Sequence, residues 1–415
     1  MKTYIKKISN LGKEYWKFWV ASAFSMSGSN ILQFVLSLYV LEITGSATLF
    51  ALMLSIIFIP RIVLTPFAGV ISDRVNRSRF MGIVLLLEGL VLIVCSGISY
   101  RKEIGVVGIF VLVLMLEIGE VFYNACEGSI IPLLVNEEKI KDAIAVSKVD
   151  DGVVFVISPM IAATIFSYVE LPIALVCVAG LNIASAVLQL TVKIHNYGKE
   201  KTHTEIHFIE DFMEGVKLII SDKKLKRLVV AMPFINAFFG ATFSVSILYL
   251  IREVYKMNAY YYGMYNSVTA ITSVIVPMFA APLVSKYNPA KIFSISTKLI
   301  ALEIGTIGIV VFFSMSNEIP VVTAMLIIII LDCMTIAEAI PMQICTSVII
   351  QTNVKKELLG RVTSTIGLFS MVSVAVGEML FGMLNDAFAV YVSIFFGAIG
   401  VGVTTLAYSL VYSPE

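Results

Sequence analysis

Charge is scarce in this 415-residue sequence: Asp, Glu, Lys and Arg make up 14% of it, against roughly 25% in a soluble domain. With 58% hydrophobic residues, no aqueous fold could hide the apolar surface. Cysteine is also scarce and odd in number. Cys95, Cys126, Cys177, Cys333 and Cys345 all lie in apolar stretches without CxxC spacing, which excludes a disulfide framework or a thiolate zinc site and leaves helix packing. The three histidines, His195, His203 and His207, fall together in one polar segment with no further ligand cluster, so a solvated loop is expected and no metal. The sequence lacks a GxxxxGK[ST] phosphate loop and a GxSxG elbow, so neither nucleotide hydrolysis nor that acyl chemistry is expected, and no cofactor. A net charge of +1 gives no electrostatic case for nucleic acid.

What the chain does have is long apolar runs. A helix needs roughly 20 apolar residues to cross the hydrocarbon core, and about a dozen such runs fit here. Spans are expected near Lys17 to Leu41, Thr48 to Ser72, Phe80 to Ser99, Ile104 to Ile131, Ala145 to Tyr168 and Leu171 to Lys193. A second six are expected near Leu228 to Leu250, Tyr260 to Leu283, Lys291 to Ser314, Ile319 to Ile349, Gly360 to Asn385 and Phe388 to Tyr412. The expected organisation is therefore an all-α membrane protein: residues 1–193 as one six-helix bundle, 194–227 as a linker, and 228–415 as a second bundle. Within the linker Phe208, Phe212, Val216 and Ile219 recur at helical spacing among charged residues, which predicts an amphipathic helix against the cytoplasmic face.

Basic residues set the orientation. With the basic N-terminal segment read as a retained cytoplasmic tail, the loops on that side hold Arg74, Arg77, Arg79, Lys139, Lys141, Lys286, Lys291, Lys355, Lys356 and Arg361. The opposite side holds chiefly Arg101, Lys102, Arg252 and Lys256. An even number of spans places both termini in the cytoplasm. The halves echo each other: GVISDRVNRSR after span two answers APLVSKYNPAK after span eight, and LVNEEKIKDA after span four answers TNVKKELLGR after span ten. Paired halves with a site at their midplane are a common plan for secondary transporters.

Three motifs carry a resemblance. Gly69 is followed four residues later by Asp73 and Arg74 and then by Arg77 and Arg79, with Asn76 where a glycine is usual. In span five, Gly152 is followed by Ser158, Pro159, Ala162 and Ala163, with the serine and alanines in place of glycines. The run from Ile350 through Gly360-Arg361-Val362, and LYVLEITGSATLFAL at the end of span one, complete the set. The first resembles the loop 2-3 signature of the major facilitator superfamily, the second the antiporter motif of its drug-exporting branches, and the others its macrolide-efflux-type permeases. The resemblance implies the major facilitator fold, with twelve helices in two six-helix pseudo-repeats. It makes Gly69, Asp73, Arg74 and Arg77 a conformational latch, Gly69 allowing close helix approach and Asp73 facing a helix end; a merely topogenic basic loop is the alternative.

Ionisable residues inside spans are costly unless they meet a partner or water. Span four carries Glu117, Glu120, Asn124 and Glu127 on one helical face. Span ten carries Asp332, Glu338 and Gln343, and span one Asn30 and Gln33. The resemblance places spans one, four, seven and ten around the substrate path, so Glu117, Glu120, Asn124, Asp332, Glu338, Asn30 and Gln33 are the expected proton-coupling and substrate residues. Arg61 in span two calls for an acid, with Glu88 of span three as the candidate intramembrane partner. Glu88, Glu303 and Glu378 sit on helices that the resemblance puts outside the cavity or at its edge. Counting Glu88, Glu117, Glu120, Glu303, Asp332, Glu338 and Glu378 against Arg61 and Lys298, acids outnumber bases inside the membrane.

The expected function is that of a monomeric, proton-coupled exporter in a bacterial inner membrane, moving an amphipathic cationic or zwitterionic drug-like compound. The alternatives are export of a metabolite, a siderophore or tetracycline, and, in a different class, a non-transporting sensor or membrane-embedded enzyme, for which no catalytic constellation is visible.

Overall fold

The computed structural model of the chain describes residues 11–102, 104–194, 208–221, 223–354 and 358–411. Among the described residues it contains helices and no strands. Twelve helical segments are long and apolar enough to cross a membrane. Spans one to six are Lys13–Thr44, Ala47–Arg74, Arg77–Arg101, Val106–Glu127, Glu137–Tyr168 and Leu171–Thr191. Spans seven to twelve are Lys226–Val254, Ala259–Ala280, Pro289–Met315, Val321–Thr352, Arg361–Ala387 and Val390–Ser409. The chain is a multi-pass α-helical membrane protein. The expected segments are all present, and the largest shift is in span five, which begins eight residues before Ala145 because a short 3₁₀ turn, Glu137–Lys139, runs straight into the helix.

Local chemistry fixes several ends. Asn76 begins span three by accepting the Arg79 N–H at 3.1 Å, and Asn288 begins span nine by accepting from Ala290 at 3.0 Å, each satisfying an otherwise orphaned donor. The linker helix lies at Phe208–Ser221 and packs against span eleven. Its expected position on the cytoplasmic face, and the three linker histidines, lie outside what the described residues address.

Two spans depart from regular helices. Span two breaks at Ile56 and Ile57 into Ala47–Ser55 and Phe58–Arg74, with Pro60 in the first turn of the second piece. Span seven contains two π-helical turns, Thr242–Ser246 and Leu250–Val254, which insert extra residues and re-aim the side chains they carry.

The chain divides into two compact bodies, one of Met1–Val40 with Ile59–Ile206 and one of Leu41–Phe58 with His207–Glu415. A division at the linker alone does not anticipate that the first half of span two belongs with the second body. In the first body spans three and six pack most extensively, and a buried cluster that includes Tyr15, Phe18, Met81, Leu85 and Tyr123 joins spans one, three and four. In the second body spans nine, ten and twelve form one group, and span eleven packs between span seven and the Ala47–Ser55 piece.

Candidate functional site

In the first body the polar face of span four meets span one. Glu120 accepts from Ser29 Oγ at 3.3 Å and from Asn124 Nδ2 at 3.3 Å, and Glu127 accepts from Ser22 Oγ. Ser22 and Ser29 are seven residues apart, as are Glu120 and Glu127, so two antiparallel helices present donors to acceptors at the same two-turn interval. Asn124 is exposed, Glu120 partly so, and Glu117 buried. Of the expected span one residues, Gln33 is exposed and Asn30 half-buried; the donors that meet span four are the serines, which as residues common in membrane helices gave no signal of their own.

Arg61 pairs with Glu117, not with Glu88. Its Nε lies 2.5 Å from Glu117 Oε1. Glu88 instead accepts from Asn182 Nδ2 of span six at 3.3 Å, and lies against Gly119 of span four so closely that a Cβ there would collide with its carboxylate. The correction has a plain cause: residues on different spans meet according to helix rotation, which sequence spacing within one span does not specify. Glu117 and Glu120 therefore have separate partners, an arginine for one and neutral groups for the other.

In the loop after span two, Asp73 pairs with Arg77 at 2.7 Å, and Arg77 also donates to the Ser72 and Ser129 carbonyls at 3.2 Å each. Gly69 is not at a close approach: a Cβ there would meet nothing within 4 Å among the described residues. In span five, Ser158, Ala162 and Ala163 are buried while Pro159 sits inside the helix; Gly152 is half-buried one and a half turns earlier.

In the second body Asp332 accepts from Tyr265 Oη of span eight at 2.5 Å, and Glu303 of span nine accepts from Thr335 Oγ1 of span ten at 2.9 Å. Glu338 is half-buried, and its Oε2 is enclosed with no hydrogen-bond partner among the described residues. Span ten thus meets span eight through the acid Asp332 and span nine through the donor Thr335; neither Tyr265 nor Thr335 was singled out by the sequence. Glu378 of span eleven is buried, with the Ser55 and Ser244 hydroxyls each 3.2 Å from one of its carboxyl oxygens. Among the described residues no His, Cys, Asp and Glu side chains form a group of three that could hold a metal ion.

This arrangement keeps several carboxyls inside a helical membrane body, mostly opposite neutral donors. Macrolide efflux protein A of Streptococcus pyogenes is 28% identical over 247 residues, covering 57% of this chain and 60% of that protein. A protein of the same name from Enterococcus faecalis is 29% identical over 194 residues, covering 44% of this chain and 58% of its own length. The chain thus matches about three fifths of the length of these relatives. Among solved structures, a bacterial homologue of the iron transporter ferroportin, captured inward-facing, superposes with a TM-score of 0.78 at 14% identity, covering 97% of this chain and 99% of its own. The nucleoside transporter NupG superposes at 0.74 with 12% identity, covering 97% and 100%. At such identities the likeness is one of fold. The sequence profile of the Major Facilitator Superfamily matches residues 18–378, and the chain belongs to that superfamily.

Proposed function

We propose that the protein is a proton-coupled exporter of amphipathic, cationic or zwitterionic compounds, with macrolides as the first class to test. The observation that carries this reading is the span four face. Glu120 accepts from the neutral Ser29 and Asn124, while the basic Arg61 is engaged by Glu117. A carboxyl opposite neutral donors can exchange a proton for a cationic ligand without leaving an unmatched base behind. Glu120 is therefore the proposed exchange residue, Glu117 its orienting neighbour through Arg61, and Asn124 a polar contact for substrate. Asp332 and Glu338 are proposed as the corresponding acids of the second body, with Asn30 and Gln33 as further polar contacts. The Asp73 and Arg77 pair, with Gly69 and Arg74, is proposed as the cytoplasmic latch, and the Gly152 to Ala163 segment as the bend that sets exporter direction. The relatives named for macrolide efflux support the substrate class.

The two bundles are proposed to work as a monomer in the cell membrane with both termini cytoplasmic, alternating access between two states. Resistance profiling tests the substrate class: expression in an efflux-deficient host should raise tolerance to macrolides, and unchanged tolerance across macrolides, tetracyclines and cationic dyes would count against a drug exporter.

A further inference from the structure

Span eleven meets the first half of span two along one stripe. Ala375, Glu378, Gly382 and Asp386, spaced three or four apart, face Ser55, Ala51, Ala47 and Ser46 in antiparallel order. Both helices belong to the second body. At one end of the stripe, Asp386 accepts from the Ala47 N–H at 2.7 Å, the Thr48 N–H at 3.0 Å and Ser46 Oγ at 2.7 Å, filling the positive start of the Ala47–Ser55 helix. At the other end Glu378 is buried, and there the hydrogens can be counted.

Ser55 has one hydroxyl proton and three acceptors in reach: Ala51 O at 2.9 Å, Ala375 O at 3.0 Å and Glu378 Oε2 at 3.2 Å. Here the carbonyls are the nearer acceptors. With its single proton given to a carbonyl, Ser55 Oγ is left as an acceptor that a protonated Glu378 can donate to, while Ser244 donates to the other carboxyl oxygen. Ser244 reaches that position from the π-helical turn Thr242–Ser246.

We propose that Glu378 is a proton-binding site, occupied in the packed seam seen here, and that its proton holds the Ala47–Ser55 half of span two against span eleven. Among the described residues, the surroundings offer no other neutraliser. Ala47–Ser55 carries no titratable side chain, and span twelve carries none with a charge, only Tyr391 and Tyr408. Span seven has Lys226, Arg227, Tyr249, Arg252 and Glu253, with Arg252 eight residues from Ser244, or about 12 Å along a helix. Span eleven's own Arg361 and Asp386 are further along the helix, Asp386 again by about 12 Å. The linker helix, which contributes Glu210, Asp211, Glu214 and Lys217, joins the chain at the Lys226 end of span seven. Glu378 makes no ion pair among the described residues. Losing the proton would leave a bare charge in a seam of glycine and alanine, which favours separating the two helices. Its part in a transport cycle rests on the proton-coupled reading above; the proton itself does not.

Infrared spectroscopy of the full chain in lipid nanodiscs, without substrate, tests the proposal. At neutral pH the difference between the parent and Glu378→Gln should contain the C=O stretch of a protonated carboxylic acid. Ser55→Ala should shift that band, because the acceptor is gone, and Ser55→Thr should restore it. A parent spectrum with only a carboxylate band attributable to Glu378 would overturn the proposal. So would a carboxylic acid band that Ser55→Ala leaves unmoved, an arm that stands even if Glu378→Gln does not fold.

Discussion

Gly382 of span eleven lies so close to span two that an added Cβ would stand 2.6 Å from the Ala51 Cβ and 2.7 Å from the Ala47 carbonyl oxygen. Real Cβ atoms do not approach backbone so closely, so any larger residue must push the helices apart. Gly382→Val should cost about 1 to 3 kcal/mol, visible as a lower unfolding temperature in detergent. The milder Gly382→Ala should be partly rescued by Ala51→Gly, which removes the nearest of the three colliding atoms, the others being the Ala47 carbonyl oxygen and the Thr48 Cα. An unchanged unfolding temperature for Gly382→Val would mean that this contact is not made.

Asp386 occupies the start of the same short helix with three hydrogen bonds. A carboxylate in that position is worth roughly 0.3 to 2 kcal/mol. Asp386→Asn keeps an acceptor and loses the charge, so its unfolding temperature should fall between those of the parent and Asp386→Ala. Equal stability of all three would show that the cap contributes nothing.

The Arg61 and Glu117 pair is lopsided: the Glu117 side chain is 9% exposed and that of Arg61 34%. Removing Arg61 leaves the buried acid without its counter-charge, a change that costs about 3 to 5 kcal/mol in fully buried pairs. Because Arg61 is partly solvated, Arg61→Ala should fall toward the lower end of that range. Adding Glu117→Gln should recover most of the loss. A double variant as unstable as Arg61→Ala alone would place the value of Arg61 in its packing instead.

Asp73 and Arg77 separate a state-dependent role from a structural one. The Asp73 side chain is 73% exposed, so Asp73→Asn should change stability by about 1 kcal/mol or less while sharply lowering transport. Arg77, 17% exposed, donates to two carbonyls as well, so Arg77→Ala should lower both stability and transport. Full transport by a well-expressed Asp73→Asn variant would remove the latch.

The fold was legible because twelve apolar runs and the loop after span two are signals carried by neighbouring residues. The span four face was legible for the same reason, since Glu117, Glu120, Asn124 and Glu127 share one helix. The partners were not. Arg61 could choose among Glu88, Glu117 and Glu120, and only the rotation of spans two, three and four about their axes selects Glu117. Glu378 looked like an isolated acid because its partners, Ser55 and Ser244, are ordinary residues in distant segments, one of them aimed by a π-helical turn that no local pattern announces. The break in span two had a faint marker in Pro60, and its consequence, a half-span packed with the second body, depends on contacts more than three hundred residues away in sequence.

The central claim, that a proton exchanged at Glu120 drives export, is tested most directly by macrolide accumulation in inside-out vesicles with an imposed acid-inside pH gradient. The parent should concentrate labelled macrolide in the lumen and lose it when a protonophore collapses the gradient, and Glu120→Gln should bring the concentrations only to equality. Full gradient-driven accumulation by the Glu117→Gln, Glu120→Gln double variant would contradict the claim.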